Sequence, residues 1–208
     1  MPGTTESPSI ANTGRSQYRK SGFAPFPAEV SRAAYPDFYR WPGVTGDPGA
    51  CRAAAEAGCP LSRYLCQDAF AAFAEMARAQ IGETNVAAVI IEPVAGEGGF
   101  IPAPAPFLKL LREWCDKHGV ALILDEVQTG FGRTGSLLAC QQLGATPDLV
   151  VVAKGLANGL PLSAVTGRAD VIDAVGLGGV GGTYCGNPLA CAASTGLRIR
   201  PYWLMPGT

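Results

Sequence analysis

Residues 61–80 keep helical spacing through Leu65, Ala69, Phe73, Met76 and Gln80. Ser62 suits the start of that helix and Gly82 its end. The pattern then switches. Residues 86–91, Val-Ala-Ala-Val-Ile-Ile, form a continuous and partly β-branched apolar run, which predicts a strand buried on both faces. Residues 106–118 return to the helical period, with Phe107, Leu110, Leu111, Trp114 and Cys115 on one side, Pro106 in the first turn and Gly119 as the stop. Residues 120–124 and 149–153 predict a second and a third buried strand, with a short helix near 137–143 between them. Residues 166–175 read as a strand end followed by a helix, and residues 187–197 as another helix.

Buried strands alternating with helices predict an α/β fold with a mostly parallel sheet and flanking helices. Residues 1–60, rich in Pro, Gly and aromatics, read as an irregular, loop-rich N-terminal segment. Residues 61–194 read as the α/β core and residues 195–208 as a divergent tail. In such sheets ligands gather beyond the carboxyl ends of the strands. Glu92 follows the first strand, Asp125 the second and Lys154 the third. Three successive strands thus each lead into an ionisable group.

Composition narrows the partners. Hydrophobic residues make up 48% and charged residues 16%, as in a globular chain. The net charge of -1 offers no basic surface for nucleic acid. No apolar run approaches the roughly 20 residues a membrane span needs. Residues 1–20 lack the apolar core of a secretory signal; Arg15, Arg19 and Lys20 among several Ser and Thr give only a faint likeness to a transit peptide, and a loop is the preferred reading. The seven cysteines are irregularly spaced without a Cys-x-x-Cys pair, so free thiols in a reducing cytoplasm are expected and no metal site. His118, the single histidine, ends a predicted helix, where the helix dipole or solvent accounts for it and no catalytic triad can be built. The run Gly176-Leu-Gly-Gly-Val-Gly181 fits the dinucleotide pattern, but a predicted helix precedes it where a strand is required.

A lone Asp or Lys at a strand end is ordinarily a salt-bridge partner. Here both lie in glycine-rich turns that let a ligand approach the backbone. Pyridoxal phosphate needs such a set: a lysine for its aldehyde, with burial keeping the amine neutral and nucleophilic, a carboxylate for its ring nitrogen, and a donor near its ring hydroxyl, a place Gln128 suits.

Four segments carry a resemblance. They are Ile91-Glu-Pro-Val-Ala-Gly-Glu-Gly-Gly-Phe100, Asp125-Glu-Val-Gln-Thr-Gly-Phe-Gly-Arg-Thr-Gly135, Pro147-Asp-Leu-Val-Val-Val-Ala-Lys-Gly155 and Gly181-Gly-Thr-Tyr-Cys-Gly-Asn-Pro188. Together they resemble the class III aminotransferases, most closely the 4-aminobutyrate aminotransferases, with a weaker likeness over residues 12–41. The resemblance implies part of the large domain of a fold-type I pyridoxal-phosphate-dependent transferase. It implies transamination of an ω-amino acid, 4-aminobutyrate with 2-oxoglutarate as acceptor. Lys154 then holds the cofactor as a Schiff base and shuttles the proton. Asp125 pairs with the ring nitrogen, Val127 packs on a ring face and Gln128 bonds the ring hydroxyl. Thr183 binds the phosphate of the neighbouring subunit in a homodimer or larger oligomer. Glu97 pairs with a substrate-sensing arginine, and Glu92 supports the substrate side. Arg133 and Thr134 keep the simpler reading of turn and cap residues.

The resemblance also implies that parts of the family pattern are missing. Its upstream phosphate turn, its aromatic-His-Gly-Arg motif and the substrate arginine of its small domain have no counterpart in the 208 residues. Pro201 stands where the family continues a helix, at a cost of about 3 kcal/mol in a helix interior. Met1-Pro-Gly-Thr4 recurs as Met205-Pro-Gly-Thr208. Such ends fit a frameshift, a gene-model error or a truncated gene. Two alternatives therefore stand beside the aminotransferase: a non-catalytic fragment of such an enzyme, and a class III racemase or decarboxylase using the same lysine.

Overall fold

The computed structural model describes residues 29–37, 60–176 and 178–196. Most of the predicted loop-rich segment and of the weaker likeness over residues 12–41 lies outside the described residues, as do the likeness to a transit peptide and Pro201.

Helix α1 (Pro60–Met76) continues through a π-helical turn, Ala77–Ile81, to Gly82 at φ 83. The helix therefore starts two residues ahead of Ser62. Leu65, Cys66, Ala69, Phe73 and Ala77 are buried in the core, whereas Gln80 is exposed. The wider π turn rotates Gln80 outward, and Ala77 takes the core position. Helix α2 (Ala105–His118) ends on Gly119 in the left-handed region, as its sequence predicts. Its buried face is Phe107, Leu108, Leu111, Trp114 and Cys115. Leu108 replaces Leu110 there. Phe73 of α1 meets Trp114 of α2 edge to face, with ring centroids 5.1 Å apart.

The sheet runs β1 (Ala88–Ile91), β4 (Ala121–Asp125), β5 (Leu149–Val152), β6 (Ala164–Gly167) in that order, and a hairpin of β2 (Val94–Ala95) and β3 (Ile101–Pro102) stands apart from it. β1, β4 and β5 are parallel, and β6 returns antiparallel to β5. The chain makes only a 3-10 turn (Lys154–Ala157) between β5 and β6, and a parallel return needs a crossover of a dozen residues or more, typically a helix. Helix α2 lies between β1 and β4, and a short helix α3 (Cys140–Leu143) lies between β4 and β5.

Leu122, Leu124, Val150 and Val152 are buried on one face of the sheet. On the other face Ile123 and Val151 are half-buried and Ile90 is 41% exposed. The reading of 86–91 as a strand buried on both faces is therefore corrected. β1 is an edge strand, and its residues alternate between exposed and half-buried. Beyond β6, helix α4 (Ala169–Ile172) precedes the glycine run, and a turn at Thr183–Gly186 follows it. Helix α5 (Pro188–Thr195) is capped by the Asn187 side chain, which accepts from the Leu189 and Ala190 amides. α5 packs on the 3-10 turn that begins with Lys154.

Candidate active site

The register of the sheet brings the predicted residues to one end. Ile91 pairs with Leu124, so Glu92 stands level with Asp125, and Asp125 pairs with Val151 of β5. Period-two alternation puts Asp125 on the half-covered face with Ile123. Its carboxylate accepts a hydrogen bond from the Val127 amide at 3.1 Å. Among the described residues it forms no ion pair.

Lys154 lies just past β5. Its ammonium donates to the Gln128 side-chain oxygen, which joins the turn after β4 to the turn after β5. The expectation of a desolvated lysine is not met by the described residues, because the Lys154 side chain is exposed. The unusual feature is its backbone, at φ 43, a left-handed conformation costing a non-glycine residue about 1–2 kcal/mol. Such strain is concentrated at functional sites.

The loop after β1 closes the third side. The Glu92 carboxylate accepts from the Gly96 amide at 2.7 Å. Gly96 passes so near its neighbours that a Cβ there would lie 3.2 Å from Gln128 Cγ and 3.5 Å from Glu92 Oε2. Glu92, Gly96, Gln128 and Lys154 are thus one chain of contacts. The Tyr35 hydroxyl lies 3.0 Å from the carbonyls of both Glu92 and Ile101, tying a described N-terminal residue to this hairpin. Glu97 is exposed in the hairpin loop, and Thr183 is exposed in its turn. Neither has a described contact to Lys154. Arg133 and Thr134 are turn residues, as read from the sequence; neither caps a helix.

Glu126 is not among the residues that the motifs single out. This side chain is fully buried, at 0% exposure. It accepts hydrogen bonds from the Thr129 hydroxyl at 2.6 Å and from the Ala139 and Cys140 amides, each at 2.8 Å. The Cys140 thiol beside it is pushed up to about 12, first by burial and then by its contact with Glu126. A signal was available: Leu122 and Leu124 share the parity of Glu126, so period two carries a carboxylate onto the core face.

Residues 3–198 match the model of the class-III aminotransferase family. The chain belongs to that family. It is 43% identical over 185 residues to the 4-aminobutyrate aminotransferase GabT of Escherichia coli K12, covering 89% of this chain and 38% of the relative. It is 51% identical over 127 residues to the 5-aminovalerate aminotransferase DavT of Pseudomonas putida, covering 61% of this chain and 30% of the relative. Among solved structures, an (S)-enantioselective ω-transaminase from Thermomicrobium roseum superposes with a TM-score of 0.75 at 31% identity, covering 90% of this chain and 39% of that one. The chain spans 38% of the length of the E. coli relative.

Class III aminotransferases depend on pyridoxal 5'-phosphate. The residues present fit that group. Asp125 offers a carboxylate engaged by an amide rather than a cation, and Lys154 offers an amine engaged by an uncharged side chain. Both stand at the same end of the sheet.

Proposed function

We propose that this chain carries the cofactor-anchoring part of an aminotransferase that moves an amino group from an ω-amino acid, 4-aminobutyrate, to a 2-oxo acid, 2-oxoglutarate. The observation that carries the reading is the contact between Lys154 and Gln128 at the strand end beside Asp125. When bound, pyridoxal phosphate supplies an aldehyde that condenses with amines and a ring that draws electrons from the substrate carbon.

The chain's own residues have the following parts. Lys154 would attach the cofactor through Nζ and would hold or move a proton at that atom. The Asp125 carboxylate pairs with the ring nitrogen and keeps it protonated. Val127 packs on a ring face, and the Gln128 amide bonds the ring hydroxyl while orienting Lys154. Glu92 and Glu97 lie on the hairpin side and serve the substrate end. Thr183 serves the phosphate held by a neighbouring subunit in a homodimer or larger oligomer, a reading that suits its exposure in the single chain. The extents 61–194 for the core and 195–208 for a separate tail belong to the same proposal.

A cytoplasmic location is also proposed, supported by the free thiols Cys66, Cys115, Cys140, Cys185 and Cys191. Among the described residues no helix is long and apolar enough to cross a membrane.

Adding pyridoxal phosphate to the purified chain is expected to produce an absorbance band of the lysine adduct. Lys154→Ala is expected to abolish it. If the unmutated chain never develops the band, cofactor attachment by this chain is wrong. Product analysis with 4-aminobutyrate, 5-aminovalerate and ornithine, each with 2-oxoglutarate, then separates amino transfer from racemisation and decarboxylation.

A further inference from the structure

We propose that Glu126 is a positioning residue that sets the angle at which Gln128 meets Lys154, and through Gln128 the readiness of Lys154 to take the cofactor. The inference rests on the proposed function above, because it assigns a task to a side chain that itself faces away from the cofactor.

Asp125, Val127 and Gln128 are consecutive with Glu126, yet Glu126 alone turns into the core. Five hydrogen bonds fix it there. Its carboxylate accepts from Thr129 Oγ1 at 2.6 Å, from Ala139 N at 2.8 Å and from Cys140 N at 2.8 Å. The two amides belong to the start of α3, so the carboxylate joins the end of β4 to the next helix. Its own amide donates to the Val151 carbonyl at 2.8 Å, extending the β4–β5 ladder one residue beyond Asp125. Its carbonyl accepts from Gly130 N at 2.8 Å and closes the turn over residues 126–130. The fit is tight, since a Cβ on Gly130 would lie 2.8 Å from that carbonyl oxygen. Thr129 is also buried, at 3% exposure.

Gln128 is therefore held between two anchored residues, Glu126 and Thr129, that bond each other. With both anchors in the core, the backbone that carries Gln128 is fixed, Gly96 passes close to its Cγ, and from that position its side-chain oxygen receives the Lys154 ammonium. Lys154 is exposed, so nothing described on its own side restricts where Nζ points. Removing a carboxylate that satisfies two backbone amides and a hydroxyl frees the turn, and Lys154 loses its partner.

The test compares the unmutated 208-residue chain with Glu126→Gln and Thr129→Val. One arm needs no cofactor. Hydrogen exchange at the Val127, Gln128 and Gly130 amides is expected to rise about tenfold in Glu126→Gln and about threefold in Thr129→Val. Exchange at Leu122, Leu124 and Val150 is expected to stay within a factor of about two. The second arm adds pyridoxal phosphate, reduces with borohydride and maps the modified lysines, with exposed Lys109 and Lys117 as internal references. The preference for Lys154 over the references is expected to fall in the order of the exchange changes. If Glu126→Gln does not fold, Thr129→Val decides. Uniform exchange across β4 and β5, or an unchanged Lys154 preference in the folded variants, would overturn the proposal and leave Glu126 a purely structural residue. If the unmutated chain shows no preference for Lys154, the cofactor reading fails. The exchange arm still decides whether Glu126 controls the turn.

Discussion

At the scale of single residues, the site depends on close approaches more than on burial. Gly96 is the clearest case, because its missing side chain lets Gln128 and Glu92 lie against the hairpin. Gly96→Ala would press on Gln128 Cγ from 3.2 Å. Gln128 can yield, but in yielding it moves off Lys154. The expected cost is on the order of 1 kcal/mol, or about fivefold weaker cofactor retention. Equilibrium dialysis against pyridoxal phosphate measures it, and retention equal to that of the unmutated chain would show that Gln128 has slack. The four residues proposed for the cofactor, at the end of β4, in the turn after it and after β5, stand out in the sequence by their motifs. Glu126 was not singled out, because a glutamate after an aspartate reads as one more solvated charge until its parity is counted.

Among the elements, Asp148, ahead of β5, is a joint between α2, β4 and the residue after β6. Its carboxylate accepts from Arg112 of α2 at 2.7 Å, from the Leu122 amide of β4 at 2.7 Å and from Arg168, next to β6, at 2.9 Å. Burial alone would raise the carboxyl, but the Leu122 amide and the two guanidiniums outweigh it and hold it at about 2. The folded value lies below the ordinary one. Its stabilisation is therefore full above a pH of about 4 and is lost as the pH falls through about 2. Asp148→Asn is expected to cost about 2 kcal/mol at neutral pH and to flatten the acid side of the stability curve. Urea denaturation at pH 7 and pH 3 checks both, and a variant as acid-sensitive as the parent would contradict the assignment. The salt bridge that the sequence reading set against a functional Asp125 or Lys154 is found here instead. Element types were legible from periodicity, including both long helices. Their faces were less so, since Leu108 and Leu110 flank the same apolar stripe and only packing against α1 chose Leu108.

For the molecule as a whole, one face of the sheet is covered and the other is not fully so. Tyr184 is 89% exposed, Leu189 73% and Val180 79%, all in the stretch that carries Thr183. Exposed apolar side chains gathered in one segment are what an association surface would present. Sedimentation at increasing concentration is expected to show dimers or larger species, with Leu189→Asp shifting the population toward monomer. A chain monomeric at all concentrations would remove the shared-site role proposed for Thr183.

The sequence by itself determined the alternation of strands and helices, the parallel core of the sheet and the choice of Asp125, Gln128 and Lys154 as candidates for one strand-end site. Those properties follow from local period and from short motifs, which do not depend on what lies across the fold. Only the tertiary structure decided that β1 is an edge, that β6 turns back antiparallel, that Lys154 is exposed and strained, and that Glu126 is buried and bonded to Thr129 and to the start of α3. Each of these depends on residues far apart in sequence: which strand finds a neighbour, how short the β5–β6 connection is, and which amides reach a carboxylate once α3 has packed behind β4.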